Sequence, residues 1–367
     1  MIDETTSPSS GPLIDAEVLS PVLRKHVDPA APLPLRTMGA KLVVPASPHD
    51  ALCMLYLLTF DPDEGVREQA WGNVRALPDK ISLTGLRDDT VPPAVLGWWA
   101  DQIAEVEKLA ELIVLNQATP DDAIARVAAR CSVRVAELIS QNQLRMLRHE
   151  ELLRTLLEES KISRAVSDNI ADFAIRSGIY MEDVPALVEA HRRIHGDVPP
   201  GPPSETAADI LDEFAAELAE ESDAPIEERK RLTLSQRIMA MSVSQKIKLA
   251  TLGNKEARGL LLRDTNKLVC VAAVESPRIT EGEIITLTLS RTIHEDVLRV
   301  IYSSREWVKS YQVKLNLVLN PKTPLPTALR FLVHLRPNDL KGVQDNRNVP
   351  TAVRTAARNL LLKTKRN

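Results

Sequence analysis

The stretch Leu260–Thr288, LLLRDTNKLVCVAAVESPRITEGEIITLT, decides how the chain is read. Leu261, Leu262, Leu268, Val269, Val271, Ala272 and Val274 recur at helical rather than alternating spacing, so one side of a helix can be buried. Ser276-Pro277 stops that pattern, because proline has no amide to donate. Thr280 and Glu283 then stand at the spacing of a capping box, in which each side chain satisfies an orphan amide at a helix start. Helix, proline-marked break and second helix make one unit of paired helices.

The unit recurs. Leu317–Leu332 places Asn320-Pro321 where the first stretch has Ser276-Pro277, 44 residues earlier. Pro326-Thr327-Ala328-Leu329-Arg330 and Pro350-Thr351-Ala352-Val353-Arg354 are near copies 24 residues apart, and Thr292 with Glu295 offers another capping box. In the front half Ser47-Pro48-His49-Asp50 joins an N-cap serine, a proline at the first helical position and a first-turn carboxylate. Asp61-Pro62-Asp63-Glu64 and Thr119-Pro120-Asp121-Asp122 repeat that start signal. Val95–Leu115 reads as one long helix, as does Glu306–Leu319.

The expected fold is all-α, built of antiparallel helix-pair repeats in two blocks joined by a Pro-rich and acidic linker. Residues 1–46 read as a Pro-rich, partly disordered arm, 47–198 as an acidic repeat domain, 199–225 as the linker and 226–367 as a basic repeat domain. In the linker, Ile210, Leu211, Phe214 and Leu218 share one face of an acidic segment and form a candidate docking helix. A solvated spacer is the plainer reading.

Helix pairs at a period near 44, proline at helix starts and an Arg-Asp step such as Arg263-Asp264 between helices resemble the HEAT and armadillo class of α-solenoids. The resemblance covers residues 47–195 and 232–364, with spacing that departs from a fixed period in the front half. It implies a binding surface rather than catalysis.

Composition agrees with helices packed through aliphatic side chains, since only 3% of residues are aromatic. Cys53, Cys131 and Cys270 are odd in number, far apart and flanked by apolar residues, as buried thiols of a reducing compartment would be. The first ten residues lack a basic region followed by an apolar one, and Ala51–Phe60 is too short an apolar run to span a bilayer. The expectation is a cytoplasmic, soluble chain. Its net charge of −4 hides a division: residues 226–367 hold 26 basic and 12 acidic side chains, while residues 199–225 hold 8 acidic and no basic ones.

Nothing in the sequence suggests a reaction, and the chain reads as no enzyme, with no cofactor and no metal. His191 and His195 lie four apart but lack a third ligand at a recognisable spacing. Asp61–Gly65 has its glycine fifth, not sixth as a calcium loop requires, and Gly253-Asn254-Lys255 lacks the remainder of a phosphate loop. What stands out is positive charge. Lys246, Lys248, Lys255, Arg258, Lys309, Lys314, Lys322, Arg330, Lys341 and Arg347, with Arg354 and Arg358, fall at turns or polar helical positions and are expected to be exposed. Two functions follow. One is a non-catalytic scaffold or adaptor that binds a partner protein, with the acidic linker segment as tether or lid. The alternative is a nucleic-acid-binding solenoid that grips phosphates through its basic half.

Overall fold

The computed structural model describes residues 11–196 and 228–364. The candidate docking residues Ile210, Leu211, Phe214 and Leu218 lie outside them. The chain divides into two compact units, 1–198 and 199–367. Among the described residues both are all-helical, with no strand.

The first unit runs α1 (Leu33–Ala40), α2 (Pro48–Leu58), α3 (Glu64–Arg75), α4 (Asp79–Gly85), α5 (Pro93–Ile103), α6 (Glu107–Leu115), α7 (Asp121–Arg130), α8 (Val133–Ser140), α9 (Gln143–Arg148), α10 (Glu150–Glu158), α11 (Arg164–Arg176) and α12 (Pro185–His195). The second runs α13 (Glu228–Ala240), α14 (Val243–Leu252), α15 (Lys255–Leu261), α16 (Lys267–Val274), α17 (Glu281–Leu289), α18 (Glu295–Ser303), α19 (Tyr311–Leu319), α20 (Leu325–Leu332), α21 (Pro337–Asp345) and α22 (Thr351–Thr364).

Helices pack on the next but one, or on the next but two where α9 intervenes, as well as on their neighbours. In the first unit α5 packs on α7 and α7 on α10, while α4, α6, α8 and α11 follow one another in a second row. In the second unit α14, α16 and α18 form one row, and α17, α19 and α21 another. The central helices are apolar nearly all round, which suits burial between neighbours: Val269, Cys270, Ala272, Ala273 and Val274 of α16 are buried, as are Ala51 to Tyr56 and Leu58 of α2. Cys270 thus lies in the core. Burial and the nearby Asp264 charge push its thiol up to about 11.

One turn construction recurs in both units. Asp28, Asp88, Asn116, Ser276, Asn320 and Asn346 each accept, through a side-chain oxygen, the amide two residues on. Each also accepts, through its carbonyl, the amide three residues on. The fourth residue on precedes the next helix; it is proline at Pro32, Pro92, Pro120, Pro324 and Pro350, and Thr280 after Ser276. The side chain mimics a backbone turn, and proline pre-sets φ where no amide is needed. The Ser276 and Asn320 breaks are therefore equivalent in structure. Pro326 and Pro350 are not: Pro350 ends a turn, whereas Pro326 lies inside α20 and Pro324 ends the turn. The true offset is two residues longer than the sequence copies suggest.

Several start signals shift. The N-cap of α3 is Asp63, whose carboxylate accepts the Val66 amide at 3.0 Å, because Asp61 is buried in an ion pair with Arg36. Thr119 does not cap α7; its hydroxyl donates to the Ile113 carbonyl at 2.7 Å and Pro120 takes the cap position. Thr292 and Glu295 form no capping box, since α18 begins at Glu295 behind an N-cap His294 without a side-chain cap bond. The Thr280–Glu283 box does form.

Helix lengths also differ. Val95–Leu115 is two helices, broken where Val106 adopts an extended backbone, and Glu306–Leu319 is a 3-10 turn at Trp307–Lys309 followed by α19. Helices α4, α9 and α21 were not expected: α4 and α21 bury only two residues each, and α9 is a six-residue helix that follows closely on α8.

Residues 11–46, expected as part of a partly disordered arm, pack on the rest of the first unit. Leu19, Leu23 and Val27 are buried, α1 packs on α2 and α3, and the Leu13 amide donates to the Tyr56 hydroxyl at 3.0 Å. A Cβ on Gly39 would lie 2.8 Å from the His26 carbonyl oxygen, so glycine permits that close approach.

Candidate basic surface of the second unit

Arg258 is not at the surface. Its side chain is fully buried, with Nε 3.2 Å from Glu283 Oε1, Nη2 3.1 Å from Oε2 and Nη1 3.1 Å from the Gly253 carbonyl. Helix α15 buries the face of Ala257, Arg258 and Leu261, and the carboxylate that caps α17 comes to meet it. Burial pushes the Glu283 carboxyl up, but hydrogen bonds from Arg258 and from Thr280, with the Arg258 charge, hold it below its ordinary value.

Two lysines are engaged by their own unit. Lys246 is half-buried with Nζ 2.9 Å from Asp264, and Lys322 donates to the Ile293 carbonyl at 2.7 Å. Lys248, Lys314 and Arg354 are half-buried, while Lys255, Lys309, Arg330, Lys341, Arg347 and Arg358 are exposed.

The fold gathers part of this charge at one edge. Tyr302, Trp307, Tyr311 and Phe331 are all the aromatic residues of the sequence between 228 and 364. They lie on two turns that α19 brings together: the end of α18 through the start of α19, and the end of α20 through the start of α21. The Arg330 guanidinium sits 4.6 Å from the Phe331 ring centroid and donates to the Tyr302 carbonyl at 3.2 Å. The Arg336 guanidinium sits 4.7 Å from the Tyr311 centroid, and its amide donates to the Tyr311 hydroxyl at 3.0 Å. That hydroxyl donates in turn to Asp339, and burial together with this bond raises its pKa. Each ring attracts a cation to its face. Lys309 and Arg330 were identified from sequence; Arg336 and the rings were not. Their one signal, the sparse aromatics with arginine nearby, means nothing until the two turns meet.

In the first unit the His191 and His195 rings meet at a tilt, 4.9 Å between centroids, and His191 meets Tyr180 edge-to-face at 5.1 Å. No group of three or more His, Cys, Asp or Glu side chains among the described residues is placed to hold a metal ion, and no described helix is long and apolar enough to cross a membrane. Comparison with known proteins finds no matching family model, no matching curated protein and no matching solved structure.

Proposed function

We propose that the chain is a non-catalytic cytoplasmic scaffold or adaptor whose helix pairs stack as a HEAT- or armadillo-like solenoid and hold a partner protein on their exposed surface. The observation that supports this reading is the repetition, in both units, of one Asx-type turn together with packing of helices on the next but one. A chain built this way lays helix pairs side by side and leaves their ends and outer faces to a ligand. The test is reconstitution. The full chain, used as nuclease-treated bait in native lysate, should retain a protein that binds the purified chain at fixed stoichiometry; loss of all retained protein on nuclease treatment refutes the reading.

Nucleic-acid binding is the second reading, favoured by the 26 basic against 12 acidic side chains of residues 226–367. A salt series on the full chain with duplex and single-stranded nucleic acid tests it, since phosphate binding weakens steeply with salt. No binding at low salt removes it.

A further inference from the structure

Arg330 and Arg336 are exposed, yet neither is paired with a carboxylate among the described residues. Each is instead laid on a ring. Contact with the ring restricts the side chain while N–H groups remain to donate, so part of the side-chain entropy that a bidentate contact costs is already lost. Such forks match carboxylates and phosphates alike, so the remainder of the edge decides between them. Between them in sequence lies Val333, 61% exposed, and Trp307 is half-exposed on the facing turn. Lys309 adds positive charge there and is itself unpaired among the described residues.

Nucleic acid fits this edge less well. Stacking of successive bases needs several free ring faces, and two of the four rings here, Tyr311 and Phe331, already carry Arg336 and Arg330. Residues 1–198 also carry 30 acidic against 20 basic side chains, which repel a long polyanion.

We infer that the edge formed by Tyr302–Tyr311 and Arg330–Asp339 receives an acidic, amphipathic segment of the partner protein. Its carboxylates meet Arg330 and Arg336, and an apolar side chain between them lies on Val333. This rests on the scaffold reading above.

The experiment is fluorescence anisotropy of the full chain with a labelled synthetic peptide rich in glutamate and leucine, and with labelled oligothymidylate. The peptide should bind, and each of Arg330→Ala and Arg336→Ala should weaken it roughly tenfold, the scale of one charge-assisted contact. Arg336→Lys keeps the charge but loses the fork and should lose most of that affinity. Unchanged thermal melts confirm that the variants fold. Absence of peptide binding, or full affinity in the Arg336→Lys variant, overturns the inference. So does oligothymidylate binding that is tighter than the peptide and lost with the same substitutions. If the reconstituted protein partner still binds the Arg330→Ala/Arg336→Ala chain at full affinity, the edge is wrong and the scaffold reading stands.

Discussion

Arg258 and Glu283 form a bidentate pair across 25 residues, and the same carboxylate closes the capping box of α17 by accepting the Thr280 amide at 2.9 Å. One side chain therefore fixes the start of α17 and neutralises a fully buried cation of α15. Arg258→Ala strands the carboxylate. The expected loss is about 3–5 kcal/mol, the cost of breaking a buried pair from one side. Urea denaturation should show a lower midpoint at unchanged slope, and a double-mutant cycle with Glu283→Gln should be far from additive.

Acid should act through the same pair. The folded-state pKa of Glu283 is depressed, so its stabilisation is present above the unfolded carboxyl value and is lost as pH falls through the folded one. Stability should decline below about pH 4.3, the ordinary glutamate value. The Glu283→Gln chain is expected to be less stable at neutral pH and to show a flatter acid limb in melts taken across that range. An unchanged acid limb would mean other carboxylates govern it.

The asparagine turns give a test in each unit. Asn116 Nδ2 donates to the Leu86 and Asp88 carbonyls at 2.9 and 3.1 Å, and Asn320 Nδ2 to those of Thr288 and Ser290 at 2.8 and 3.0 Å. Both side chains are buried. Asn116→Ala and Asn320→Ala each leave carbonyls unsatisfied, and each should cost about 1–3 kcal/mol by thermal or urea unfolding. Asn→Asp should be no better, since a carboxylate cannot donate to a carbonyl.

Packing of the amino-terminal segment is tested at Gly39. Its missing Cβ would approach the His26 carbonyl oxygen to 2.8 Å and Leu58 to 3.2 Å. Gly39→Val should loosen residues 11–46 from the first unit and speed limited proteolysis there, whereas Gly72→Ala, where a Cβ meets nothing within 4 Å, should leave it unchanged.

Thiol chemistry should be silent in the native chain. Burial pushes Cys53 up to about 12 and Cys131 to about 11, with Cys270 similarly raised. Alkylation by iodoacetamide near pH 8 should require denaturant for all three, because the thiolate is the nucleophile.

Much of the fold was legible because its signals are local. Ser47 accepts the amide of the third residue on, and Thr280 with Glu283 closes its box, each within one helical turn. Where the reading failed, a distant partner had claimed the residue: Asp61 went to Arg36, and Thr119 to the carbonyl of Ile113. The basic surface failed in the same way at Arg258. Charge at a polar-looking position says nothing about what packs over it, and here Glu283 did.

Helix periodicity, caps and proline breaks act over a few residues, so the helices of the described residues and their pairing could be read from the sequence, as could the positive charge concentrated in its carboxy-terminal half. Only the packing of helices made Arg258 part of the core, laid Arg336 on Tyr311 and brought Arg330 to the Tyr302 carbonyl. The physical reason is range. Burial of a charge, and the meeting of two turns some 25 residues apart, depend on which helices pack together.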